Sequence, residues 1–298
     1  MMAILETGFV AEGLLADVLV KGAGGAAFAL HKAETWRWWH FLAWSSIVYL
    51  GMEILAALVH VFGRFSGARL IRRRGKHLDQ LDPLDRSFVT FNRLSAAVFT
   101  YHSIKYLWDN PRGHHVVWEP SSLDVFNGLC AFILLYVVYD LFYTIFHRVL
   151  HMRGIYKYIH KHHHRQKAPT RGNVDAVNVH PFEFLTGEYN HLLAIYLVSR
   201  YLVPVHVFAA GAFIVVGGFL ASLNHTRFDI RIPGVYEVRY HDIHHWYPES
   251  NYGQYIMLWD WMMGSLKPYP KEGDNSNEAS KPAMRNAIAP ATTKDKES

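Results

Sequence analysis

Apolar positions in this chain gather into long runs parted by short polar stretches, a pattern that predicts membrane-crossing helices. The first clear run covers Trp38 to Phe62, long enough as a helix to cross the ~30 Å hydrocarbon core of a bilayer. Arg64, Arg69, Arg72, Arg73, Arg74 and Lys76 follow directly, and the positive-inside rule places this basic block in the cytosol. A weaker run from Phe88 to Trp108, interrupted by His102 and Lys105, predicts the return crossing. The loop from Asp109 to Ser122 holds one Arg, one Asp and one Glu, which suits the lumenal side. A third run, Leu123 to Phe146, brings the chain back to the cytosol and ends at His147. Leu192 to Leu223 is apolar for 32 residues apart from Arg200 and Pro204. One helix of that length would measure ~48 Å, too long for a comfortable span, so Pro204 is expected to divide it into two. Two helices return the chain to its starting side. From Glu272 the sequence is polar with no apolar periodicity, which predicts a disordered tail.

The expected fold class is therefore all-α. It is a multi-span integral membrane protein of four to five hydrophobic helices, carrying a cytosolic histidine-rich helical cap. The expected organisation is an N-terminal segment 1–122 with two membrane helices and the basic loop, a unit 123–270, and the tail 271–298.

Composition sharpens this picture. Hydrophobic residues make up 51% and charged residues only 18%, below the quarter usual in soluble domains. There are 20 histidines against 18 phenylalanines and a single cysteine, Cys130, so any metal site must use imidazole and carboxylate. The net charge of +5 is concentrated beside a hydrophobic run, which fits a patch facing anionic lipid and argues against nucleic acid. The first basic residue is Lys21, so the start of the chain lacks the layout of a cleaved signal peptide.

The histidines fall into three boxes. His147 and His151 form HxxxH at the end of the third run. Residues four apart on a helix share a face, so both rings can reach one centre. His160-Lys161-His162-His163-His164 and His241-Asp242-Ile243-His244-His245 both contain HxxHH, in which a helical turn is expected to point three imidazoles the same way. Eight convergent imidazoles exceed the four ligands of one tetrahedral ion and suit two metal ions. His162 would face away from its neighbours and is left out of the ligand set. A lone HxxxH occurs by chance, and isolated His60, His77 and His206 read as hydrogen-bonded or interfacial residues. Three boxes beside membrane ends are a different matter.

These residues resemble the fatty acid hydroxylase and sterol desaturase superfamily of membrane di-iron enzymes. HRVLHMRGIYKYIHKHHHRQKAPT is similar to that family's first two boxes, and His180-Pro181 to the HP that follows them. HDIHHWYPESNYGQYIMLWDWMMGS resembles the ending of sterol C-5 desaturases, while YHDIHH also looks like sphingoid-base hydroxylases and sterol C-4 methyl oxidases. The likeness runs from about Asp140 to Tyr269. It implies two iron ions, dioxygen as co-substrate, and electrons from NAD(P)H through cytochrome b5 and its reductase. The implied reaction is desaturation or hydroxylation of a lipid, a sterol first and a sphingoid base or fatty acyl lipid second. The family also has further metal-binding histidines between the second and third boxes. His225, at the exit of the last hydrophobic helix, is the preferred extra ligand, with His180 next.

Asp140 lies two helical turns before His147, where its carboxylate is expected to hydrogen-bond the outer ring N–H of a ligand histidine. Asp242 and Asp260 are candidates for the same role with weaker support. The aromatic pairs Trp246-Tyr247 and Trp259/Trp261 read as an interfacial belt or a lipid entrance. Other functions fit less well. A zinc hydrolase lacks HExxH, a metal transporter would carry its ligands along its spans, and a haem protein would use isolated histidine pairs. The final residues, Lys294-Asp295-Lys296-Glu297-Ser298, resemble a dilysine retrieval signal, which implies the endoplasmic reticulum membrane with active site and C-terminus in the cytosol.

Overall fold

The computed structural model describes residues 37–72, 77–110 and 113–270. The expectations placed on Lys21, on Arg73, Arg74 and Lys76, and on the tail with its lysine pair lie outside those residues.

Five long helices run antiparallel among the described residues. Helix α1 spans Trp38–Phe65 and α2 spans Pro83–Asp109. Asp82 starts α2 by accepting the Asp85 N–H at 2.9 Å, while Asp85 accepts the Asp82 N–H at 2.8 Å, a reciprocal cap with Pro83 in the first turn. A two-residue strand, β1 (Val116–Val117), leads to a π-helical turn over Val125–Cys130, which runs into α3 (Ala131–Leu150). Short helices α4 (Arg153–Tyr156) and α5 (Asn173–Ala176) then precede α6 (Pro181–Tyr201). Strand β2 (Val205–His206), parallel to β1, turns the chain into α7 (Val207–Asn224). A small antiparallel pair, β3 (Arg231–Ile232) and β4 (Tyr236–Glu237), leads to α8 (Val238–Trp246) and finally α9 (Leu258–Met262).

Among the described residues, three helical stretches are long and apolar enough to cross a membrane: Trp38–Phe65, Val125–Leu150 and Val207–Asn224. The apolar run divides around Pro204 as expected. Its first half, however, belongs to a helix that begins at Pro181, eleven residues before the apolar signal does. Glu183, Asn190 and His191 of α6 are buried inside the bundle, and so are Asn92, Arg93 and Ser103 of α2. These two helices exchange polar groups with their neighbours, which is why hydropathy under-reads them. Arg93 pairs with Glu53 of α1 and donates to Asn173 Oδ1 at 3.0 Å.

The main core lies between α3, α6 and α7 and includes Leu135, Tyr139, Ile195, Val198, Ala210 and Phe213. The outer face of α1 leaves Leu50, Ile54 and Leu58 exposed, an apolar surface suited to lipid.

The bundle has two distinct ends. At one, His115 donates its amide to Ser199 O and accepts from Val205 N beside the β1–β2 pair. At the other, the segment after α1 meets the segment after α7, with Ile71 N bonded to Arg227 O at 2.7 Å and Asp229 N to Arg69 O at 2.8 Å. The second histidine box docks at this same end: Arg165 donates to Asp82 at 2.7 Å and Gln166 accepts the Leu78 N–H at 3.0 Å. All three boxes and the basic stretch at Arg69 and Arg72 therefore share one end. Single cysteines introduced at Arg69, Lys161 and Pro268 are expected to react with an impermeant thiol reagent from the same side of sealed vesicles. Labelling of Lys161Cys from the opposite side to Arg69Cys would break this arrangement.

Candidate metal centre

Among the described residues, nine buried or half-buried histidines meet at that end in two groups. His147, His151, His160, His164 and His244 form one, and His163, His225, His241 and His245 the other. Within each group one ring nitrogen per residue lies within 4.8 Å of all the rest.

Local geometry explains the division. In α8, His241 and His245 are four residues apart and share a face, with Nε2 atoms 3.0 Å apart. His244, at the third position, is rotated away and turns its Nε2 to His164 Nε2 at 3.1 Å. The second box repeats this with a different backbone. It is a series of turns ending in a 3₁₀ turn at His163–Arg165, not the expected regular helix. His160 and His164 still meet, Nε2 to Nε2 at 2.9 Å, while His163 faces His225 at 3.3 Å. Each HxxHH box thus contributes to both groups, which corrects the expectation that its three rings point one way. His225 joins the second group, its Nε2 3.0 Å from that of His241.

The ring tautomers are set from outside. His147 Nδ1 faces the Tyr252 carbonyl at 2.8 Å, His244 Nδ1 the Ser250 carbonyl at 2.7 Å, and His225 Nδ1 the Ala221 carbonyl at 2.8 Å. His160 Nδ1 faces a carboxylate, Glu183 Oε1, at 2.8 Å. An oxygen acceptor at Nδ1 puts the proton there and leaves a lone pair on Nε2. Yet His147 Nε2 and His160 Nε2 lie 2.9 Å apart. Two lone pairs at that distance repel unless a cation lies between them. An ion ~2.1 Å from each of two imidazole nitrogens holds them ~3.0 Å apart at a right angle and ~3.4 Å at a tetrahedral one. The observed separations fit that range, so the donor set suits two metal ions.

Burial reinforces the assignment. It holds His163, His164, His241, His244 and His245 well below the usual imidazole range, with the neighbouring rings adding to the effect. Burial also lowers His160 to about 3, helped by the charge of Lys167, whose ammonium donates to the His245 carbonyl at 2.9 Å. These rings are neutral near pH 7, and the neutral imidazole is the form that ligates.

Three sequence candidates stand elsewhere. His180 caps α6, accepting the Phe182 N–H on Nδ1 at 3.2 Å, and belongs to neither group. Asp140 does not reach a histidine. It accepts the backbone N–H groups of Gln254 at 3.0 Å, Tyr255 at 3.1 Å and Ile256 at 2.5 Å, because the 251–257 turn crosses α3 at its level. Asp242 pairs with Arg227. His162 turns outward to Asp85 at 3.0 Å and Asn178 at 2.9 Å.

The carboxylate against a ligand ring is instead Glu183, which sequence reasoning missed although it follows His180-Pro181 by two positions. A second missed element is the cradle of the 251–257 turn. Asp260 accepts the Tyr252 N–H at 2.9 Å and the Gly253 N–H at 2.7 Å, so two aspartates hold five consecutive amides. Asn251 takes φ 54° and ties the turn to Tyr240 and Lys267. A Cβ at position 253 would stand 2.7 Å from the Ile256 carbonyl, which accounts for glycine there. The NYGQY pattern thus builds the support that presents the Tyr252 carbonyl to His147.

Fold and site together define an all-α membrane protein with two buried histidine groups, each of which could hold a metal ion. Residues 132–265 match the model of a family described as fatty acid hydroxylase. Over that segment the chain is similar to this family. It is 30% identical over 145 residues to the Delta(7)-sterol-C5(6)-desaturase of Nicotiana tabacum, covering 48% of this chain and 51% of that protein. It is 32% identical over 167 residues to the lathosterol oxidase of Rattus norvegicus, covering 52% of each. The chain spans about half the length of these curated relatives. No solved structure gives a significant match.

Proposed function

We propose that the protein is an oxygen-dependent di-iron lipid oxidase that desaturates or hydroxylates an unactivated C–H bond, with a sterol as its substrate. The observation that carries this reading is the pair of buried imidazole groups at one end of an apolar helical bundle. The relatives named above, a sterol desaturase and a lathosterol oxidase, support the choice of sterol.

In this reading His147, His151, His160, His164 and His244 hold one ion, and His163, His225, His241 and His245 the other. Bound iron supplies the activation of dioxygen, which no side chain here can supply. The protein's own share is placement. The carbonyls of Tyr252, Ser250 and Ala221 fix three rings and Glu183 a fourth. Burial excludes bulk water, and the apolar flank of the bundle admits a lipid laterally. Electrons come from NAD(P)H through cytochrome b5 and its reductase. The enzyme resides in the endoplasmic reticulum membrane with its histidine end in the cytosol, beside the basic stretch at Arg69 and Arg72.

Expression in a fungal host lacking its own sterol C-5 desaturase tests the reading. Lipid profiles are expected to gain a sterol with a new ring double bond, and to lose it with the His244→Ala variant. Unchanged sterols together with newly hydroxylated sphingoid bases would move the substrate to that class.

A further inference from the structure

The two imidazole groups differ in what stands behind them. In the four-histidine group the outer nitrogen of His225 faces a neutral backbone carbonyl, that of Ala221, at 2.8 Å. In the five-histidine group His160 faces the carboxylate of Glu183 at 2.8 Å. Glu183 is buried, and its other oxygen, Oε2, has no hydrogen-bond partner. Among the described residues no lysine or arginine pairs with it; His160 is its ion-pair partner. A buried carboxylate without a cation is costly, and a buried polar atom without a partner calls for a reason. A metal ion held on the far side of the His160 ring would supply the compensating charge.

We propose that Glu183 is a positioning residue that makes the two metal positions unequal. By accepting the Nδ1 proton it fixes the His160 tautomer and strengthens Nε2 as a donor. The five-histidine position then holds its ion more tightly than its imidazoles alone would, and the four-histidine position gains nothing. The inference rests on the metal-centre reading and concerns affinity, so it is tested without turnover.

The experiment titrates cobalt(II) into metal-free full-length protein in detergent, comparing wild type with Glu183→Gln. Cobalt with four nitrogen ligands in tetrahedral geometry absorbs visible light far more strongly than cobalt with five, so the two positions report separately. Glutamine keeps the size of Glu183 and an acceptor oxygen while removing the charge. Loss of such a partner typically costs 10–100-fold in metal affinity. The weakly absorbing phase is therefore expected to weaken by about that factor in Glu183→Gln, with the strongly absorbing phase unchanged. Equal weakening of both phases would reveal a merely structural role, and no change in either would remove the role altogether; both overturn the proposal. Thermal unfolding of the two metal-free proteins checks that the variant is folded, and Glu183→Asp gives a second variant that keeps the charge. Retained affinity in Glu183→Asp supports the assignment to charge. Failure of the wild type to bind cobalt would instead overturn the metal-centre reading, and this inference with it.

Discussion

Replacement of His244 by Ala is expected to abolish turnover and to release metal, measured as iron per chain and oxygen consumption in the purified protein. His244 is fully buried, its Nδ1 is fixed by the Ser250 carbonyl, and its Nε2 lies 3.1 Å from that of His164. Its loss removes one of five donors and leaves a void that nothing nearby can fill with a ligand atom. His163→Ala is expected to fail equally from the other group, because the proposed reaction needs both ions. His162→Ala is the control. Its ring is spent on Asp85 and Asn178, so the variant should lose some stability yet keep its iron. A His162→Ala protein as depleted as His163→Ala would reverse the choice of register in the second box. Full activity in His244→Ala would end the metal assignment.

The second large effect is expected at Asp140. Removing its carboxylate strips the acceptor from three buried amides of the 251–257 turn. An unsatisfied buried amide costs ~1–3 kcal/mol, so Asp140→Ala should lose roughly 3–6 kcal/mol of stability, allowing for incomplete relaxation. The same turn presents the Tyr252 carbonyl to His147, so bound iron should fall as well. Asp140→Asn keeps one acceptor oxygen and should lose less on both counts. Thermal unfolding in detergent and iron content are the measurements. Wild-type values for Asp140→Ala would show that Asp260 alone holds the turn.

What the sequence determined is local in origin. Apolar runs long enough for a bilayer mark three spans, because helix length against membrane thickness is a one-dimensional comparison. Pro204 marks the break between α6 and α7, because the backbone cannot continue through it. The three histidine boxes stand out because helical periodicity places residues four apart on one face, as it does for His147 and His151 and for His241 and His245, while His160 and His164 meet through a series of turns instead. Tertiary structure decided the rest. The split of each HxxHH box between two groups depends on which partner each rotated ring meets, and His163 meets His225, 62 residues away. Asp140 looked like a histidine partner by helical spacing, but a turn 114 residues later arrives first and takes its oxygens. Glu183 lies in a helix of its own, and only the packing of α6 on α3 brings it to His160. Periodicity along one helix is written in the sequence, whereas hydrogen bonds between helices are fixed only when those helices pack.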